Sequence, residues 1–200
     1  MAKLSRPFDW ADSFQRLEQI AGQASPLNRM EQLHQRNESK RARGEKVTWQ
    51  EHLEVGLAIY DAGRMPLDAG LVFVAALLLG SSGPGEERVQ ALWAREFHDR
   101  FEAVRKQHGM AEDEDWPPGQ GPAEYEALNT EFEEATDRVL GEVLGEYAVK
   151  IGHPVVRQAA ELYAADRLGF ERRVEKGRQW LFGPPDEVMT KYLRAKGIIE

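Results

Sequence analysis

Between Pro66 and Pro84 the chain reads Leu-Asp-Ala-Gly-Leu-Val-Phe-Val-Ala-Ala-Leu-Leu-Leu-Gly-Ser-Ser-Gly, and the twelve residues from Ala69 to Gly80 carry no charge. A run this apolar must leave water, and three structures could take it out: a bilayer span, a buried strand or a buried helix. As a helix, twelve residues rise about 18 Å at ~1.5 Å each, against roughly 30 Å of bilayer hydrocarbon, so the run is too short to cross a membrane. Leu and Ala outnumber β-branched residues, which favours helix over strand. Pro66 and Asp68 suit a first helical turn, one by its fixed φ and the other by its charge at the positive end of the dipole. Gly80-Ser-Ser-Gly-Pro-Gly85 is a stop followed by a turn. An all-round apolar helix has to be surrounded by others. The segment 67–79 is therefore expected to be the central helix of an all-α bundle.

The remaining start and stop signals predict about eight or nine helices in one domain spanning 1–200. The first runs from about Asp9 to Ala21, with Trp10, Phe14, Leu17 and Ile20 on one face. Ser25-Pro26 opens a second through Met30 and Leu33, and Thr48-Trp-Gln-Glu51 has the spacing of a capping box before a third. Two long amphipathic helices, near 85–108 and 122–151, flank an acidic Pro/Gly-rich loop at 109–122. They are expected to fold back on each other and to wrap the central helix. Three shorter helices follow, near 154–168, 170–181 and 186–196.

Composition narrows the chemistry. Apolar residues make up 42% of the chain, enough for a core, and there is no cysteine, which removes disulfides, thiolate metal sites and a cysteine nucleophile. The first ten residues lack the apolar centre of a signal peptide, so a cytoplasmic protein is expected. No phosphate loop, dinucleotide fingerprint or nucleophile elbow occurs, and no cofactor is expected. Charge is uneven. Ala111 to Glu146 holds twelve acids and one base (Arg138), a net of −11, while the whole chain is −8, so the rest is +3.

Four residue sets could carry chemistry or binding. His98-Asp99 is the dyad used by all-helical metal-dependent phosphohydrolases. There, neutral imidazoles and carboxylates gather on a metal that activates water. His52 upstream and Asp137 or Asp166 downstream would complete such a set, although the neighbours Arg95, Glu96 and Arg100 read more simply as surface helix charge. Glu31-Gln-Leu-His34 matches one Glu-x-x-His step of a di-iron bundle, but no second step occurs. Arg36, Lys40, Arg41, Arg43 and Lys46 form a basic run. Together with 172–196 it would be the footprint of nucleic-acid binding, or else a solvated helix end. Finally, Gly141, Gly145, Ala148 and Gly152 fall on one helical stripe. Each interior glycine costs about 1 kcal/mol relative to Ala. Close approach of another backbone, within the chain or from a second copy, would offset that cost.

The expectation drawn from these features is a non-enzymatic protein-interaction or regulatory module. It would have a protein partner, self-association as an option, and aromatics near the termini (Trp10, Trp180, Phe182) as contact candidates. The metal-dependent phosphohydrolase and the nucleic-acid binder are the alternatives. No membrane association is expected.

Overall fold

A computed structural model describes residues 28–110, 116–117 and 119–199. The expected first helix, Trp10 with it, and the acidic tetrad 112–115 lie outside the described residues. Among those described there are eight helices and no strand: α1 (Asn28–Ala42), α2 (Trp49–Asp61), α3 (Leu67–Leu79), α4 (Pro84–Gln107), α5 (Ala123–Ile151), α6 (Pro154–Ala165), α7 (Arg167–Phe182) and α8 (Glu187–Ala195). The protein is an all-α helical bundle.

Local chemistry sets the boundaries. At the start of α2 the capping box is closed. The Thr48 N–H donates to the Glu51 carboxylate at 2.9 Å, and the Glu51 N–H donates to the Thr48 hydroxyl at 3.3 Å. Gly152, at φ 69°, ends α5 in the left-handed conformation that lacks a steric penalty only for glycine. His153 then caps α6: its Nδ1 accepts the Val155 N–H at 3.2 Å, and its other nitrogen, Nε2, lies 3.0 Å from Asp61 at the end of α2. One departure is instructive. α7 begins at Arg167, ahead of the expected 170, because Asp166 accepts the Gly169 N–H at 2.9 Å and makes a one-residue junction with α6.

The apolar run is the hub. Every residue from Ala69 to Gly80 is buried, and α3 touches α2 along its length and α6 and α7 over residues 67–74. Its last turn, Ala75–Leu79, widens to π-helical spacing. No single helix among the described residues is long and apolar enough to cross a membrane.

The expected wrapping of α3 by the two long helices is corrected. Its most extensive neighbour is α7, and the long pair reaches only its C-terminal turn. The reason is steric. A Cβ on Gly177 of α7 would collide with the Asp68 carbonyl and the Ala69 amide, so glycine alone permits the two backbones to meet there. Gly56 of α2 leaves room in the same way for the Phe73 ring. Arg173 fastens the α7 contact by donating to Asp68 at 2.8 Å.

The long pair serves a second purpose. Near its base, Val89, Leu140, Val143 and Leu144 join the main core. Farther out, Leu92, Phe97, Phe101, Tyr125 and Leu128 form a separate apolar cluster that Trp93, Trp116 and Phe132 pack against. Trp93, Phe97 and Phe101 meet Phe132 or Tyr125 edge-on at centroid distances of 5.0 to 6.4 Å. A π-helical turn at Trp93–Phe97 marks the passage from one core to the other.

Candidate functional site

The residues of the metal-dependent alternative stay apart. His98 Nδ1 lies 3.0 Å from its neighbour Asp99, and both project from the outside of α4. Asp137 receives Arg167, Asp166 is the cap of α7, and His52 stands on α2. Glu31 is exposed and His34 half-buried on α1. Among the described residues no three His, Asp or Glu side chains come close enough to share a metal ion.

The basic run of 36–46 is largely balanced where it stands. Arg36 pairs with Glu54 at 2.9 Å, Lys40 with Glu51 at 2.5 Å, Arg41 with Glu38 at 2.6 Å and Arg43 with Glu45 at 2.6 Å. Lys40, and then the Thr48 amide, hold the Glu51 carboxyl down to about 2. Lys46 is exposed. The alternation of acid and base that the sequence displays thus becomes a set of pairs, two of which, Arg36–Glu54 and Lys40–Glu51, join α1 to α2. A phosphate backbone would have to compete with carboxylates already in place.

The stripe on α5 does not make the close backbone contact expected of it. The position of a Gly141 Cβ would be in ordinary contact with the Tyr163 ring of α6, 3.6 Å away. Ala148 is buried, Gly152 is the helix terminator, and Gly145 faces open space with nothing within 4 Å. Close backbone approach occurs at Gly177, where no periodic stripe announced it.

What the fold does leave outside is apolar. Among the described residues five large apolar side chains are exposed, and four of them stand on α7 and α8: Leu168, Trp180, Val188 and Tyr192. Leu168, Arg172, Lys176 and Trp180 recur every four residues, so they form one ridge along α7. Trp180 is 56% exposed and Val188 74%. The cations between them are held by their neighbours: Lys176 lies 3.3 Å from Asp68, and Arg172 donates to the Gly197 carbonyl at 3.0 Å, tying the chain beyond α8 to α7. Phe182, by contrast, packs against the main core.

The α8 contribution was readable in principle. Val188-Met189 and Tyr192-Leu193 are two apolar pairs four residues apart on a nine-residue helix. Only Met189 and Leu193 turn inward, which leaves Val188 and Tyr192 to solvent. The fifth exposed side chain, Val149 at 86%, lies one turn from Gly145 on the outer face of α5.

No protein-family model matches this chain, and no curated protein or solved structure is significantly similar to it.

Proposed function

We propose that this chain is a non-enzymatic protein-interaction module that docks a protein partner through the ridge of α7 and the adjoining face of α8. The observation that carries the reading is Trp180: an indole more than half exposed, in line with Lys176, Arg172 and Leu168. Tryptophan and arginine are the residues on which binding energy concentrates at interfaces. An indole left in water forgoes roughly 25 cal/mol for each Å² it could bury. The cations beside it give the surface a sign, which speeds and orients encounter more than it tightens binding.

The test replaces Trp180 with a photo-crosslinking aromatic in the full chain, expressed in the cells that make it. A discrete adduct with one protein is expected. Excess unmodified chain should suppress an adduct with a different protein, and excess Trp180→Ser chain should not. If the adduct is no stronger than with the probe at Gln50, on the exposed side of α2, the reading fails.

A further inference from the structure

We infer that the ridge of α7 receives a second copy of this chain, by way of the outer face of α5. This rests on the docking role assigned to the ridge and names its occupant.

The two surfaces are complementary in charge. α5 carries eight acids and two bases, a net of −6, whereas 167–196 carries eight bases and four acids, a net of +4. Acids of α5 that face its own neighbours are already engaged: Glu131 with Arg100, Glu146 with Arg88, and Asp137 with Arg167. Those on the outward face are not. Glu134 and Glu142 are exposed and make no ion pair among the described residues, and the exposed Arg138 lies one turn from each on the same face. Apolar exposure is complementary too. Among the described residues all five exposed large apolar side chains fall on these two surfaces, Val149 on one and the remaining four on the other.

Shape decides how they meet. Gly145 presents no side chain and has nothing within 4 Å, and Val149 stands one turn beyond it, so together they leave a small apolar shelf in an otherwise charged face. An indole is the group such a shelf fits. With Trp180 of one copy on the shelf of another and the two helices parallel, Lys176 reaches Glu142 by turning from Asp68, which Arg173 still holds. The shelf also gives the interior glycine a role that packing inside the chain does not supply.

Because the two surfaces differ, the contact is heterologous. Each copy that docks leaves one ridge and one shelf unused, and growth continues unless the rotation closes a ring.

The experiment is sedimentation velocity on the full chain and two variants, each checked for native helix content by circular dichroism. The ridge variant is Trp180→Glu/Val188→Glu, and the shelf variant is Glu134→Lys/Glu142→Lys. All four positions are exposed, so folding should survive. The unmodified chain is expected to grow in mass with concentration and to shrink when salt is raised from about 0.05 M to about 0.5 M. Each variant alone should associate at least about tenfold more weakly, since each loses an anchor or its charge. Mixed in equal amounts they should form a one-to-one dimer that grows no further, because the mixture restores one ridge and one shelf. A mixture that stays monomeric, or unmodified chain monomeric at every concentration, overturns the inference. If that happens while the crosslink at position 180 still captures another protein, the ridge docks a different partner and only the self-docking is lost.

Discussion

At the scale of single residues, the buried charges are the most exposed to test. Glu175 and Arg178 are both buried on α7, and the guanidinium donates two bonds of 2.7 Å to the carboxylate, which also accepts from Gln179 at 2.9 Å. Removing Glu175 takes two charge-assisted hydrogen bonds from a buried guanidinium, so Glu175→Ala should cost about 3 to 5 kcal/mol in urea unfolding. Replacing both with Met should cost far less, since the desolvation penalty goes with the charges. Glu51 offers the pH counterpart. Its carboxyl is depressed to about 2 from 4.5, first by Lys40 and then by the Thr48 amide. A carboxyl lowered by folding contributes stability that is complete above its unfolded value and disappears as pH falls through its folded one. Glu51→Gln should therefore be less stable than the parent chain at pH 7, by about 1 kcal/mol as for a weakened cap. The gap should narrow as pH falls from 4.5 and be gone near 2. A gap unchanged between pH 7 and pH 3 would mean that charge has no part in it.

Between elements, two glycines make opposite predictions. Gly177→Ala drives a methyl into the Asp68 backbone, where no side chain can swing away. Overpacking of about 1 to 3 kcal/mol should exceed the propensity gain of about 1 kcal/mol. Gly145→Ala meets nothing within 4 Å and should raise stability by about 1 kcal/mol. Chemical denaturation of both, at concentrations where the chain is monomeric, checks the signs; the same sign for both would sink the assignment. These positions also explain how far the sequence could be read. Caps, glycine stops and the apolar run are local signals, and they placed most helix ends and the hub. Which helix lies against α3 is not local. Gly177 sits in a segment as charged as any in the chain, and only the Asp68 backbone opposite gives it meaning. Glu175 and Arg178 look like ordinary surface charge until α7 is seen to be the principal neighbour of α3. Trp180 was legible as a contact candidate, while Leu168 joined its ridge only because α7 begins at Arg167 and not at the expected 170.

Over the whole molecule, the division into two cores has a consequence for motion. The main core runs through α2, α3, α5, α6 and α7, while the outer half of α4 makes its extensive helix contact with α5 alone. That half is one layer of aromatic rings between two helices, and few long-range contacts bind it to the hub. Local stability follows buried apolar contact, so this arm should open on its own below the free energy of global unfolding. Hydrogen exchange under native conditions is expected to show it: amides of 71–79 exchanging only through global unfolding, those of 98–107 and 125–130 through a smaller opening. Phe101 separates the two. It is fully buried and packs against Trp93, Tyr125 and Phe132, with the Arg105 guanidinium 6.0 Å from its ring centre. A core Phe→Ala change removes about 3 to 5 kcal/mol. In Phe101→Ala that loss should fall on the arm, whose amides speed up by orders of magnitude, while 71–79 exchanges nearly as before. Were both sets to accelerate together, the two clusters would be one cooperative unit, and the π-helical turn at Trp93–Phe97 would mark no boundary in the folding of this chain.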